Sequence, residues 1–160
     1  MNQQINQILG QITEDILEKL AFIFSSPEEE IDSIDKASSI TGRVSFTGPF
    51  TGILEMSISE SALPELAGNM LGIDDDETTA ELQQDALKEL INVVCGNLLP
   101  AIAGKDIIFN VDAPQIISSE DSATSGRDIE SEVKLELEEG QCDILLFLDG
   151  DIPSGLAGAE

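Results

Sequence analysis

Asp85, Glu89, Asn92 and Gly96 recur at steps of four, three and four residues within the stretch DALKELINVVCG. At about 100° per residue they share an arc of roughly 60° on one side of a helix. A carboxylate and a carboxamide one turn apart supply a charge anchor and a group that both donates and accepts hydrogen bonds, which is what holding a water molecule in place requires. Gly96 leaves room for the backbone of a partner to approach. An ordinary solvated helix face also carries Asp, Glu and Asn, with no function attached. Against that plainer reading, Asn is kept in a helix interior where Ala would form helix better. Ala86, Leu87, Leu90, Ile91, Val93, Val94 and Leu98 fill the broad opposite side of the same wheel. The helix is therefore expected to bury that side and turn the polar stripe outward.

Composition removes several other chemistries. The chain of 160 residues has no His, which excludes His-based triads, His-ligated metals and imidazole acid–base catalysis. Its 32 acidic and 7 basic residues give a net charge of −25. Such a charge repels nucleic acid and anionic membrane surfaces, and serves solubility or attraction to a basic patch. Cys95 and Cys142 lie in apolar patterns with no close Cys neighbour, and read as reduced core residues. The loop IDDDE places Asp74 and Asp76 at a calcium-loop spacing, but Thr79 stands at the turn position and Asp85 at the last ligand position, so it reads as a solvated loop with no metal. No Gly-rich phosphate loop or nucleophile motif occurs. The N-terminal residues lack a basic leader, and no apolar run approaches the roughly 20 residues that span a bilayer, so a cytoplasmic location is expected.

The elements that must position the stripe are read from periodicity. Apolar residues from Ile5 to Phe24 recur at helical steps and predict a helix over residues 4–24. SSPEEE follows as a surface connection or a short helical turn. Residues 43–58 alternate about Gly48-Pro49 and predict a β-hairpin with one buried face. A helix from about 60 to 71 stops at Gly72. Thr78 with Glu81 matches a capping box opening the long helix from about 79 to 103, where Pro100 kinks or closes its end. A strand at 106–111, Pro114, a Ser-rich polar loop to Asp128 and a second hairpin (SEVKLEL and CDILLFL about EEGQ) complete the chain before a frayed tail. A helix and a hairpin recur in each half, as in an internal repeat. Placing TEDILEKLAFIF over QDALKELINVVC sets Glu14 on Asp85, Glu18 on Glu89 and Ala21 on Asn92.

With Asp85, Glu89, Asn92 and the downstream Pro114, the chain resembles the CheC, CheX and FliY family of chemotaxis phosphatases, whose signature has Asp or Ser, Glu four residues on and Asn three further. Ala21 in place of a second amide makes it similar to the CheX type, which keeps one motif. The resemblance implies an α/β (α+β) fold: a pseudo-two-fold domain, residues 1–150, in which two helix-plus-hairpin halves share one largely antiparallel sheet with long helices packed on it, and residues 151–160 as a flexible tail. It implies a homodimer formed through sheet edges. It also implies dephosphorylation of the aspartyl phosphate on a CheY-like response regulator, with Mg2+ supplied by the partner and no cofactor bound by this chain. Asn92 would orient the attacking water, Glu89 would pair with the regulator's Lys, and Asp85 and Gly96 would support docking. The alternative is a binding module that docks a regulator or flagellar switch component without hydrolysis.

Overall fold

The computed structural model describes residues 3–28, 30–117 and 129–149; the expected polar loop at 118–128 and the tail at 151–160 lie outside them. Helix α1 (Gln3–Ala21) leads through the short strand β1 (Ser25–Pro27) to the hairpin β2 (Ser39–Thr47) and β3 (Thr51–Ser59). Then come α2 (Leu63–Leu71), α3 (Ala80–Ala103), β4 (Asn110–Val111), β5 (Gln115–Ile117), and the hairpin β6 (Ile129–Leu137) and β7 (Gly140–Asp149). The strands form one antiparallel sheet in the order β1-β6-β7-β3-β2-β4, with β5 also on β2.

That order shows how the halves combine. The two hairpins meet at the centre, with Leu54 opposite Leu146 and Met56 opposite Ile144. Strand β1 of the first half is added to β6 of the second, and β4 and β5 of the second half are added to β2 of the first. The helices follow: α1 packs on β6 and α3 on β2. Gly10 of α1 faces Val133 of β6, whereas Gly42 of β2 faces Leu87 and Ile91 of α3. The same seat is filled twice with the large and small residues exchanged.

Alternation along the strands places Val44, Phe46, Leu54, Met56, Ile58, Val133, Leu135, Cys142, Ile144 and Leu146 in one core with the helices. Each large aliphatic side chain buried there contributes about 1.5–3 kcal/mol of transfer free energy. The hairpins bury more than one face. On the far side Glu55 is only 1% exposed, and Ser57, Asp143, Leu145 and Phe147 are buried too. Their burial is compensated: Arg43 donates to Glu55 at 3.0 and 3.1 Å, and Thr41 and Ser57 share a hydrogen bond of 2.6 Å. The connection after β1 lies over part of this side. Ile34 N donates to Asp143 at 2.9 Å, Lys134 Nζ donates to the Ile31 carbonyl at 3.1 Å, and Gln141 donates to the Asp32 carbonyl at 2.8 Å. Polar positions in the hairpins have the sequence pattern of a solvent face because this cover comes from a distant, weakly patterned segment.

Other boundaries differ from the periodicity for local reasons. Helix α1 stops at Ala21, where Phe22 takes φ 53° and Ile23 N returns to the Leu17 carbonyl at 3.1 Å, so Phe24 falls outside the apolar stripe and is 72% exposed. SSP is an edge strand, where Pro27 costs no inner ladder bond. The cap of α3 is Thr79, which accepts from Leu82 N at 3.2 Å; Thr78 donates instead to the Asp75 carbonyl, so no Thr78–Glu81 box forms. Pro100 neither closes α3 nor ends it early. The expected strand at 106–111 shrinks to Asn110–Val111, because Phe109 turns in against Phe46 and Phe50 and leaves Ile108 85% exposed.

Gly52 tests the central hairpin contact. A Cβ there would lie 2.5 Å from the Phe147 carbonyl oxygen and 2.6 Å from the Phe46 ring. Gly52→Ala is expected to destabilise the fold by about 1–3 kcal/mol through overpacking, measured by urea denaturation.

Candidate functional site

Helix α3 owes its position to its apolar side. Leu87, Leu90, Ile91, Val94, Cys95, Leu98 and Ile102 are fully buried, and Ala86, Leu99 and Ala103 nearly so. Gly42 admits the helix closely: a Cβ on it would stand 3.4 Å from Leu87 Cγ and 3.7 Å from Ile91 Cγ2. A strand glycine marks such a close approach, and it was the available signal for how α3 is seated. With those residues inward, Asp85, Glu89, Asn92 and Gly96 are all exposed. The structure thus brings the four onto one outward face of a single rigid element.

The groups on that face are differently engaged. Asp85 Oδ1 lies 3.3 Å from Lys88 Nζ. Glu89 and Asn92 make no side-chain hydrogen bond or ion pair among the described residues. Gly96 is open, with nothing within 4 Å of where a Cβ would stand. One turn beyond it, Pro100 has no N–H to give the Gly96 carbonyl, so that acceptor lacks its usual helical donor. Pro114 is half-buried just ahead of β5. The sequence pattern does not single out Lys88, although it is the one basic residue of α3 and stands next to Glu89.

The first half does not repeat this face in the register that residue similarity suggests. Under that alignment buried Leu17 falls on half-exposed Lys88 and buried Ala21 on exposed Asn92. Burial instead matches Ile5, Leu9, Gly10, Thr13, Leu17 and Ala21 with Ala86, Leu90, Ile91, Val94, Leu98 and Ile102, which sets Gln4, Ile8 and Gln11 against Asp85, Glu89 and Asn92. The first half then carries an amide, Gln11, against Asn92, but Ile8 stands in place of Glu89. Burial and the neighbouring Asp15 raise the Glu14 pKa.

Two concavities flank α1 and lie away from the stripe. One of them, about 680 Å³, runs between α1 and strands β1 and β6, past Gln7, Gln11, Glu14, Glu28 and Lys134. It shares no residue with the α3 face. Among the described residues no group of three Cys, Asp or Glu gathers as a metal set, and the acidic loop forms a 3-10 turn in which Asp74 N donates to Glu77 at 3.1 Å. Helix α3 is long and apolar enough to cross a membrane, but its apolar side is spent in the protein's own core.

Fold and face together describe an antiparallel-sheet domain with an exposed polar stripe on its longest helix. The model of the family "Chemotaxis phosphatase CheX" matches residues 40–137, more than half of the chain. The chain belongs to the CheX family of chemotaxis phosphatases. No curated protein matches it in sequence at a significant level. Among solved structures, the chemotaxis protein CheX of Vibrio vulnificus is similar with a TM-score of 0.73 at 17% identity, covering 93% of this chain and 100% of that one. CheX of Desulfovibrio desulfuricans gives 0.72 at 17% identity, covering 91% and 99%. CheX in the CheX-CheY-BeF3-Mg2+ complex of Borrelia burgdorferi gives 0.68 at 20% identity, covering 90% and 97%. At these identities the likeness establishes the fold.

The burial pattern can be checked at two kinds of side chain. Because Asn92 is exposed and unbonded, Asn92→Ala is expected to leave stability unchanged or raise it by up to about 0.5 kcal/mol, read from denaturant midpoints; a clear loss would assign the amide a structural role. Burial pushes the Cys95 thiol up to about 12 and raises that of Cys142 as well. Ellman's reagent is expected to find both thiols unreactive near neutral pH in the native protein and both available after denaturation.

Proposed function

We propose that this chain hydrolyses the aspartyl phosphate of a CheY-like response regulator, with Asn92 holding the attacking water and Glu89 anchoring the docked partner. The observation that carries this reading is the exposure of an unpartnered carboxylate and amide, one turn apart, on a helix held by its core. Membership of the CheX family supports the reaction class. So does the existence of a CheX complex containing CheY, BeF3 and Mg2+, since beryllofluoride is a chemical stand-in for a phosphoryl group.

The chemistry suits a protein without imidazole. The water oxygen bonds to phosphorus as the P–O bond to the regulator's carboxylate breaks, and that bond's electron pair stays with the carboxylate. A water proton passes to solvent, leaving inorganic phosphate. The transition state is loose, so alignment and charge neutralisation matter more than a strong base. Asn92 can accept a hydrogen bond from the water through Oδ1 while Nδ2 donates to a phosphoryl oxygen. Glu89 is placed to accept from the regulator's Lys, a charge-assisted bond that fixes orientation. The Mg2+ belongs with the regulator's phosphorylation site in this reading. Gly96 and Asp85 border the contact. A homodimer and a cytoplasmic setting are part of the proposal but do not enter the chemical step.

The test is decay of a regulator phosphorylated with acetyl phosphate in the presence of Mg2+. Wild type is expected to accelerate decay, and Asn92→Ala to lower the rate constant about 100-fold. Glu89→Gln is expected chiefly to raise KM, by about tenfold or more. Binding without acceleration by wild type would leave a docking module in place of an enzyme.

A further inference from the structure

Lys88 is one of 7 basic residues in a chain with 32 acidic ones, and it stands four residues before Asn92. Residues four apart on a helix are neighbours, with Cβ atoms about 5–6 Å apart. Long side chains on a helix lean toward its N-terminus, so the Asn92 amide overhangs the turn that carries Lys88 and Glu89. A cation flanks the amide on one side and an anion on the other. Lys88 is 37% exposed and pairs with Asp85, itself 58% exposed, at 3.3 Å. Adjacent residues on a helix do not face each other, so Lys88 and Glu89 remain available to different partner groups.

We propose that Lys88 is a further catalytic residue, whose ammonium group contacts an anionic oxygen of the phosphoryl group that Asn92 faces, with Asp85 holding it in the undocked protein. This rests on the phosphatase reading of the same face. The need for such a cation arises from the chain's own charge. A net charge of −25, with Asp85 and Glu89 on the docking face, opposes the approach of a phosphorylated site. In the loose transition state negative charge spreads over three equatorial oxygens, where a positioned cation is most effective. The four-carbon stem of Lys spans about one helical turn, 5.4 Å, enough to bring Nζ from Asp85 to a group docked at Asn92. An exposed pair between residues three apart is weak, so the transfer meets little resistance. Asp85 thereby gains a specific role, keeping Lys88 on the face and turned away from Asn92 until the partner arrives.

The experiment compares wild type, Lys88→Met and Lys88→Arg on the phosphorylated regulator, and measures affinity for the regulator with and without BeF3 and Mg2+. Lys88→Met is expected to lower kcat about tenfold or more and to reduce the preference for the BeF3-loaded form, while affinity for the unloaded form stays within about twofold. Lys88→Arg, which keeps the charge, is expected to retain most of the rate. Unchanged circular dichroism shows that the exposed substitutions leave the fold intact. An active wild type with an equally active Lys88→Met overturns this inference alone. An inactive wild type overturns the phosphatase reading and this inference with it.

Discussion

The contact between Leu87 and Ile91 of α3 and the bare backbone of Gly42 on β2 sets the geometry on which the candidate site depends. Buried residues recur along α3 from Ala86 to Ala103, so rotating the helix about its axis would expose several large aliphatic side chains at about 1.5–3 kcal/mol each. The orientation of Asp85, Glu89 and Asn92 is therefore a by-product of core packing. No hydrogen bond among those residues is needed to aim them. A site made this way can leave its working groups unpartnered, which suits groups that must bind something else.

The two helices have opposite solutions to the same packing problem. On α1 the small residue is on the helix, Gly10, and the larger one is Val133 on the strand; on α3 the small residue is Gly42 on the strand. The halves diverged at the outer faces as well. Residues Gln7, Gln11 and Glu14 of α1 border a groove that Asp85, Glu89 and Asn92 of α3 do not share. The fold is symmetric in its sheet and asymmetric in what its helices present.

Much of this was legible in the sequence, and the omissions have physical causes. Strong 3.6-residue periodicity located α1, α2 and α3, and alternation with turn residues located both hairpins. The exposed stripe on α3 was legible for the same reason. The seat of α3 was not, because Gly42 reads in one dimension as a weak strand residue. Strands β1 and β5, three residues each, are too short to show a period. Glu55 and Asp143 looked solvated because the Arg43 and Ile34 groups that satisfy them come from other elements. The repeat register failed because similarity of residue type, Glu over Asp and Leu over Ile, outweighed a burial pattern that only the packed helices reveal.

The exchange of edge strands between halves also has a consequence for the order of events in biosynthesis. Residues 25–27 emerge from the ribosome long before residues 135–137, against which they pair, and α1 emerges long before β6, on which it packs. The first hairpin can close as it is made, since Ser39 to Phe46 and Gly52 to Ser59 are joined by a short turn. Helix α1 packs on α2, α3 and β6, so its apolar side is covered only in part until the final hairpin is made. Completion of the sheet is therefore a late, non-local step, slower than hairpin closure and dependent on nearly the whole described chain having been synthesised.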